Sequence, residues 1–463
     1  MKVHKKWVIL MAGMTLIAVA GLFASEPSFT CDFSKINAAD VAWLITATIF
    51  VLMMTPGLSF FYGGMVGAKN VISTMLQSFI AMGLVSVLWV VFGFSLAFGN
   101  DIGGVVGDPT TFLMFHGVGA DTYLTPAGKV LGGATIPLAL YALFQMKFAI
   151  ITPSLITGSF AERVRFSAYM VFMMLFCVFV YCPLAHWTWH PDGLLHKLLD
   201  IHDFAGGIVV HASSGVAALA GALFLGRRQN AKTSHHIPAN VPFVILGAAL
   251  LWLGWFGFNG GSGLAADGIA IKAFLNTNTA GATAMMTWIF IDCLRGHKPS
   301  GMGAAVGAVV GLVAITPCAD VVTTSMSFII AVITTIVCNT AVHWREKSNL
   351  DDALDVFPTH GMGGIVATIL TGVFSYTGLI HGGVTQFLNS IIGVVIVVLY
   401  TFVVSLVLYW MTNKMIPMRV SLQSERLGLD VTQHDESYAF SDSAEREIAE
   451  YFENQEEKDT RDF

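Results

Sequence analysis

The sequence predicts an all-α integral membrane protein with eleven transmembrane helices. Of the 463 residues, 55% are apolar and only 12% are charged, whereas about 25% of the residues in an ordinary soluble domain are charged. The 34 Phe and 10 Trp are incompatible with the low hydrophobicity of a disordered chain. Eleven apolar runs approach or exceed the roughly 20 residues needed to cross the hydrocarbon core. These observations exclude a cytosolic globular protein and a disordered protein.

Residues 1–25 have the pattern of a secretory signal peptide. Basic residues come first, an apolar stretch runs from Trp7 to Phe23, and small residues follow, which is the order that such peptides share. Cleavage near Ala20 or Ala24 would leave the mature N-terminus outside. An ordinary first helix is the alternative interpretation.

A membrane domain is predicted over residues 26–413, and its orientation follows from the positions of Lys and Arg. These residues concentrate at one set of alternating span ends, and such ends face the cytoplasm. Because eleven is odd, two successive sets of five spans would have opposite orientations, as in transporters built from inverted repeats. We expect these two halves at about residues 40–225 and 241–379. The predicted spans are 40–62, 70–98, 131–157, 166–186, 204–225, 241–258, 277–294, 302–318, 324–343, 358–379 and the last helix, 388–411.

The C-terminal tail, residues 414–463, is predicted to be cytoplasmic and acidic. Residues 425–463 hold 13 of the 30 acidic residues and four basic residues, so the rest of the chain carries a net charge of +3. A capping-box pattern at Asp442 and Glu445 indicates a short amphipathic helix near the end of the tail. A solvated acidic end is the alternative.

Two histidines, His211 and His360, fall within predicted spans. Ionisable side chains are costly in a membrane and therefore indicate function. Asp203-Phe-Ala-Gly-Gly-Ile-Val-Val-His211 opens the fifth span, and Asp355-Val-Phe-Pro-Thr-His360 opens the tenth. If the halves are inverted, both imidazoles would meet near the middle of the membrane. Two unrelated histidines that bond to backbone or hydroxyl groups are the alternative.

Asp203 stands at the start of the fifth predicted span. A carboxylate there caps the helix and interacts favourably with its dipole. Direct binding of a cation is the alternative role. We favour the structural role, with a long-range attraction for cations as its by-product.

Aromatic residues provide a second functional signal. Phe144 and Phe148 are four residues apart on one predicted helix, so they share a face. Trp189 follows the fourth span, and Phe258 and Ser262 end the sixth span at the same side of the membrane. Aromatic faces attract cations, and a hydroxyl adds a directional acceptor. An interfacial aromatic belt is the alternative interpretation.

Neither the histidines of the loop after the fourth span nor the cysteines have a metal-site spacing. The six Cys are interpreted as small core residues. A metal site would need converging ligands in a recognised spacing. We therefore predict no metal, no cofactor and no nucleic-acid partner. The loop histidines are His186, His190, His196 and His202, beside Asp192 and Asp200.

Five separated segments resemble the Amt/Mep/Rh ammonium transporters, in that family's order. The resemblance covers residues 40 to about 438. The segments are Thr-Pro-Gly-Leu-Ser-Phe-Phe-Tyr-Gly-Gly (55–64), Phe-Ala-Glu-Arg-Val-Arg-Phe-Ser-Ala (160–168), Asp-Phe-Ala-Gly-Gly-Ile-Val-Val-His (203–211), Gly-Trp-Phe-Gly-Phe-Asn-Gly-Gly-Ser (254–262) and Asp-Val-Phe-Pro-Thr-His-Gly (355–361).

The resemblance implies a transporter or channel rather than an enzyme, with a function for each candidate residue. Trp189, Phe148 and Ser262 would bind ammonium at an outer recruitment site. Phe144 and Phe258 would form a gate of stacked rings. The family's twin-histidine pair would be His211 and His360, and its structural acid near the recruitment site would be Asp203.

The resemblance also implies partners and a location. We expect a homotrimer in the bacterial inner membrane, surrounded by lipid, with one pore in each protomer. Residues 425–438 resemble the tail at which PII-type signalling proteins dock. The expected activity is nitrogen uptake as ammonium or ammonia, and an ammonium sensor of low conductance is the alternative.

Two features of the sequence do not fit the transporter pattern. Gly260-Gly-Ser262-Gly263 has the form of an intramembrane serine protease motif, with His360 as a candidate base. This match is short and leaves the other segments unexplained. Lys147 lies between Phe144 and Phe148, where a positive charge facing the pore would oppose cation binding. We expect the long side chain of Lys147 to place its charged Nζ atom away from the pore.

Overall fold

A computed structural model describes residues 5–23, 28–30, 32, 34–229 and 237–438. Within these residues the protein is mostly helical, with two small two-stranded sheets. A helix, α1 (Lys5–Gly21), occupies much of the segment predicted to be a signal peptide. The predicted helix around Asp442 and Glu445 lies outside the described residues.

Residues 38–225 contain five long helical segments; a π-helical turn interrupts two of them, at Trp89–Gly93 and Cys177–Tyr181, and begins the fifth, at Gly207–Ala212. The third segment begins at Leu138 rather than at residue 131, because residues 130–131 form a strand and Pro137 precedes the first helical turn. The helices are α2 (Ala38–Met65), α3 (Val71–Leu88), α4 (Phe94–Phe98), α5 (Leu138–Ile156), α6 (Phe166–Phe176), α7 (Cys182–Trp189), α8 (Leu194–Leu199) and α9 (Ser213–Leu225).

The two small sheets lie in the connection between α4 and α5. Strand β1 (Asp101–Ile102) pairs antiparallel with β2 (Val106–Gly107), and β3 (Tyr123–Leu124) pairs antiparallel with β4 (Val130–Leu131). This connection closes over one end of the helices.

The second half contains α10 (Val241–Gly261), α11 (Gly268–Leu294), α12 (Gly301–Ile315), α13 (Thr324–Lys347) and α14 (Met362–Phe374). A last long helix, α15 (Val384–Met415), follows, and the tail forms α16 (Leu422–Leu427) and α17 (Leu429–His434). Each of the eleven predicted spans coincides with a helical segment.

Nine helical segments of the described chain are long and apolar enough to cross a membrane. Of the other two predicted spans, α12 is apolar but has only 15 residues. The second is α11, which has 27 residues and carries polar side chains such as Asn276 and Thr277. The protein is therefore a multi-pass, mostly helical membrane protein.

Helices α2 and α10, which begin the two halves, pack closely on each other through glycine. A Cβ atom on Gly247 would collide with the backbone of Phe61 and Gly57, and one on Gly257 would meet the carbonyl oxygen of Ala47 at 2.6 Å. Small residues allow membrane helices to approach in this way. Glycine therefore brings the backbones of these two helices into close contact.

Candidate functional site

A cavity of about 210 Å³ brings together most of the candidate binding residues. We call it the aromatic cavity. Trp189 comes from the end of α7, Phe144 and Phe148 come from α5, and Ser262 directly follows α10. Its lining also includes Val130, Gly132, Tyr141, Gln145, Pro191, His196, Phe204 and Leu264.

The floor of the aromatic cavity is a pair of stacked phenylalanine rings. The ring of Phe148 lies on that of Phe258, with centroids 4.2 Å apart and planes inclined by 27°. Trp189 meets Phe148 edge-on at 5.9 Å. Such contacts between aromatic rings fix their relative orientation.

The stacked pair differs from the gate expected from the sequence. Phe144 was expected to stack with Phe258, but it contacts Phe148 edge-on at 5.0 Å and 65°. Helix α5 runs from the aromatic cavity toward the histidines, so Phe144 lies one turn nearer the mouth than Phe148. The ring of Phe144 instead packs over Gly261, where a Cβ atom would approach it to 2.8 Å.

Beyond the stacked rings lies a small apolar cavity of about 10 Å³, which we call the histidine cavity. Phe258 lines this cavity, whereas Phe148 lines the aromatic cavity, so the two rings separate the cavities. Apart from His211, His360 and Trp255, the lining is apolar and consists of Met54, Leu58, Phe61, Ile151, Leu155, Leu251, Phe258 and Val309.

A third cavity of about 570 Å³, the polar vestibule, begins at His360, which lines both it and the histidine cavity. Its other lining residues include Asp292, His297, Lys298, Asn339, His343, Glu346 and Asp355. Phe61 and Val309 also line both of these cavities. The three cavities therefore follow one another, with the stacked rings between the first two and His360, Phe61 and Val309 between the second and the third.

His211 and His360 face each other across the two halves. Their Nδ1 atoms are 3.3 Å apart, and their ring centroids are 5.3 Å apart. The side chains are 1% and 2% exposed. A hydrogen bond between two Nδ1 atoms requires one to carry the proton and the other to accept it, which fixes a different tautomer on each ring.

Each histidine lies on a π-helical turn: His211 on Gly207–Ala212 and His360 on Phe357–Gly361. Such turns often mark functional sites. Helix α9, which continues from the first turn, crosses the second turn where glycine allows a close approach, since a Cβ atom on Gly215 would collide with the backbone of Gly361. The ring of His211 also stacks on Trp255 at 5.3 Å.

Asp203 caps the first histidine turn. Its Oδ1 accepts hydrogen bonds from the backbone N–H groups of Gly206 (3.0 Å) and Gly207 (2.5 Å), and its Oδ2 accepts from Ile208 (2.9 Å) and Val209 (3.2 Å). Burial raises the pKa of Asp203, and these four donors oppose the rise. The geometry matches the structural role favoured from the sequence.

Asp352, which sequence analysis did not single out, caps the second histidine turn. Its Oδ2 accepts a 2.7 Å hydrogen bond from the N–H of Phe357. Asp355 opens the tenth predicted span in the same way as Asp203 opens the fifth, but it does not cap the turn. It forms a bidentate ion pair with Arg345 at 2.7 and 2.9 Å instead. Burial raises the pKa of Asp355 to about 7 despite that pair.

A sequence signal could have found Asp352. Asp203 precedes His211 by eight residues, and Asp352 precedes His360 by the same interval. Counting eight residues back from each histidine therefore identifies both capping acids, whereas choosing the acid nearest to His360 selects Asp355.

Comparison with known proteins decides the family. The model of the Ammonium Transporter Family matches residues 42–439 of this chain. The chain belongs to the Ammonium Transporter Family. It is 42% identical over 415 residues to an ammonium transporter of Bacillus subtilis, covering 87% of this chain and 99% of that protein. It is 39% identical over 403 residues to the ammonium transporter Amt1 of Archaeoglobus fulgidus, covering 86% and 98%.

Solved structures with the same fold include other members of this family. Saccharomyces cerevisiae Mep2 superposes with a TM-score of 0.77 at 32% identity, covering 84% of this chain and 88% of that chain. A protein described as a sensor Amt protein superposes with a TM-score of 0.77 at 29% identity, covering 86% and 98%. The family is one of transporters, not of enzymes.

Lys147 does not line any of the three cavities of this ammonium transporter family member. Its side chain is partly buried, and Nζ lies 3.6 Å from Sδ of Met146. The expectation that its charge turns away from the path is therefore consistent with its position.

The protease alternative does not agree with the geometry. Ser262 Oγ donates to the carbonyl oxygen of Phe258 at 2.8 Å, and Ser262 lines the aromatic cavity. His360 lies beyond the stacked rings, with its Nδ1 against His211. The two residues do not form a nucleophile and base pair, which would require direct hydrogen-bond reach.

Two of the four loop histidines contact carboxylates away from the three cavities. His186 contacts Asp101 at 3.0 Å and His202 contacts Asp320 at 2.9 Å. Within the described ranges, no group of three or more His, Cys, Asp or Glu could hold a metal ion.

The tail, as far as residue 438, packs on the helices of the membrane domain. Asp430 Oδ1 accepts a 2.8 Å hydrogen bond from the N–H of Ser73 near the start of α3. Burial raises the pKa of Asp430 to about 6. Glu425 pairs with Arg419 at 2.9 Å. The Asn240 side chain donates to the Tyr438 hydroxyl at 2.8 Å.

Proposed function

We propose that this protein is an ammonium transporter that binds ammonium in the aromatic cavity, removes its proton near the stacked rings and conducts ammonia past His211 and His360. The observation that carries the proposal is the 3.3 Å contact between the two Nδ1 atoms, located where the histidine cavity meets the polar vestibule. The two imidazoles can exchange a proton, and they lie in an apolar cavity in which a cation is unfavourable.

The aromatic cavity suits a small cation. The rings of Trp189 and Phe148 attract positive charge through their faces. The hydroxyl hydrogen of Ser262 is donated to Phe258, which leaves the lone pairs of Ser262 Oγ available to an N–H donor. We therefore assign Trp189, Phe148, Phe144 and Ser262 to the binding of ammonium.

The stacked rings of Phe148 and Phe258 form the gate in this proposal, in place of the Phe144 and Phe258 pair expected from the sequence. The histidine cavity behind them, at about 10 Å³, is close to the smallest volume that holds one water. A cation entering an apolar space without its water pays a large desolvation cost. Ammonium should therefore lose its proton before or at the gate.

The histidine pair provides a path for that proton. One Nδ1 donates and the other accepts in the shared hydrogen bond, and each remaining ring nitrogen can exchange a proton. The Nε2 atom of His211 is buried without a partner among the described residues, so it is free to contact a solute in the histidine cavity. Ammonia and the proton would recombine in the polar vestibule.

The experiment is the current that follows an ammonium jump on a solid-supported membrane carrying reconstituted protein. We expect the double variant His211→Ala, His360→Ala to lose the current, because the proposed path for the proton is gone, or to admit potassium, because the passage is wider without the two imidazoles. His381→Ala, a histidine in the Leu379–His381 turn that lines none of the three cavities, is the matched control. An unchanged, ammonium-selective current in the double variant would refute the proton-passing role.

The sequence supports a more detailed architecture, which we include in the proposal. Eleven spans in two inverted halves plus a last helix would place the aromatic cavity outside and the polar vestibule and tail in the cytoplasm, as the positions of Lys and Arg require. Residues 1–25 would be a signal peptide, residues 26–413 the membrane domain and residues 414–463 the tail. The protein would form a homotrimer in the inner membrane, with PII-type proteins docking at the tail.

An ammonium sensor of low conductance is the second candidate. The similarity to the sensor Amt protein, at 29% identity and a TM-score of 0.77, favours considering it. The same recording separates the two functions, because a sensor would bind ammonium without sustained transport. Ammonium-dependent quenching of Trp189 fluorescence without net uptake into liposomes would support the sensor.

A further inference from the structure

Gln145 presents an unpaired hydrogen-bond acceptor at the aromatic cavity. It lies on α5 between Phe144 and Phe148, lines the cavity and is only 8% exposed. Its Nε2 donates to the Tyr141 hydroxyl at 3.3 Å, whereas its Oε1 is buried with no hydrogen-bond partner in the described chain. Leaving a buried carbonyl oxygen unpaired costs free energy, so its position in a cavity wall points to a ligand.

Two other polar side chains of this cavity direct their hydrogens to the protein backbone. Trp189 Nε1 donates to the backbone oxygen of Asp203 at 2.8 Å, and Ser262 donates its hydroxyl hydrogen to Phe258. With these two donors occupied, acceptor capacity remains for a ligand at Gln145 Oε1 and Ser262 Oγ. Two acceptors beside aromatic faces match a small cation that carries several N–H donors.

We propose that Gln145 Oε1 accepts a hydrogen bond from ammonium in the aromatic cavity, which makes Gln145 a residue that determines substrate specificity. This inference rests on the proposed function and extends it from cation attraction to the orientation of the bound cation. Ammonium can place an N–H group on both acceptors in many equivalent orientations, because all four of its substituents are donors. Methylammonium also has enough donors for two acceptors, but its methyl group must point away from both, so fewer of its orientations fit the site.

The test is Gln145→Met, which keeps an unbranched side chain and removes the acceptor. We expect the half-saturating ammonium concentration for current to rise about ten-fold or more, as for the loss of a hydrogen bond to a charged group. The maximal current should be retained, because binding is weakened without a change in the later steps. The preference for ammonium over methylammonium should fall toward one.

Gln77→Met is the matched control. Gln77 on α3 is 1% exposed, its amide atoms also have no partner among the described residues, and it lines none of the three cavities. Its replacement should leave the half-saturating concentration unchanged. An effect of equal size in both variants would assign the change to packing and overturn the inference.

Gln145→Glu tests the same point without depending on how well the methionine variant folds. The carboxylate keeps an acceptor oxygen and adds charge, so we expect an unchanged or lower half-saturating concentration and stronger inhibition by potassium. A higher value would overturn the inference, as would an unchanged value for Gln145→Met. If wild-type protein gives no ammonium current at all, the proposed function itself fails, which is a different result.

Discussion

Replacing Asp203 by Asn should destabilise the protein even when no ammonium is present. The carboxylate accepts four backbone N–H groups at the start of the first histidine turn, two on each oxygen. An amide keeps one acceptor oxygen and places an NH₂ group where the other oxygen was. Two buried N–H groups therefore lose their acceptor and meet a donor instead.

The structure gives the size of the effect. A buried donor left without a partner costs about 1–3 kcal/mol. Two such donors correspond to about 2–6 kcal/mol, a large fraction of the roughly 5–15 kcal/mol that holds a typical folded domain together. The backbone oxygen of Asp203 also holds Trp189 Nε1 at 2.8 Å, so binding in the aromatic cavity should weaken as well.

The assay is thermal unfolding of detergent-solubilised protein in ammonium-free buffer, followed by tryptophan fluorescence. Asp200→Asn is the matched control, because it removes the same charge three residues away from an exposed side chain. We expect a clearly lower Tm for Asp203→Asn and an unchanged Tm for Asp200→Asn. Equal Tm values for Asp203→Asn and wild type would refute the capping argument and favour a carboxylate that serves only to attract cations.

Two further predictions concern the proposed gate and the acid stability of the ion pair between Arg228 and Asp351. Phe258→Ala should join the aromatic and histidine cavities, admit water and raise potassium current relative to ammonium current; unchanged selectivity would contradict a gate at this ring. Arg228 contacts Asp351 at 2.8 Å, and although burial opposes it, this pairing lowers the pKa of Asp351 to about 2. Because the pKa of Asp351 is lower in the folded protein than the unfolded value of 3.8, the ionised carboxylate stabilises the folded state by about 2 kcal/mol at pH values above 3.8. This stabilisation is lost as the pH falls from about 4 to 2. Asp351→Asn should therefore flatten the fall of Tm over that range, and parallel Tm curves would contradict the assignment.

The sequence was sufficient to predict the helices, and the reason is physical. A membrane-crossing helix needs a long apolar run, so hydropathy locates it without knowledge of its neighbours. Two segments differ at their starts. The seventh begins at Gly268 rather than at residue 277, and in the third an apolar stretch around residues 130–131 forms a strand before Pro137. Hydropathy records that such a stretch is buried or lipid-facing, but it does not distinguish a strand from a helix.

The contacts within the site were harder to predict, because they depend on how helices from different halves are placed. Phe144 and Phe148 share one face of α5, and sequence spacing treats them alike. Only the position of α10 decides that Phe258 stacks on Phe148 at 4.2 Å. The unpaired oxygen of Gln145 is likewise visible only after Tyr141 is known to hold its Nε2.

The placement of the two histidines follows from one device used in both halves. Asp203 and Asp352 each fix the start of a turn through backbone N–H groups, and each precedes a histidine by eight residues. The segments that carry the two histidines cross at Gly215 and Gly361, where a Cβ atom on Gly215 would collide with the backbone of Gly361. The 3.3 Å separation of the Nδ1 atoms therefore depends both on the caps, which fix where each turn begins, and on the glycine crossing, which brings the two segments together.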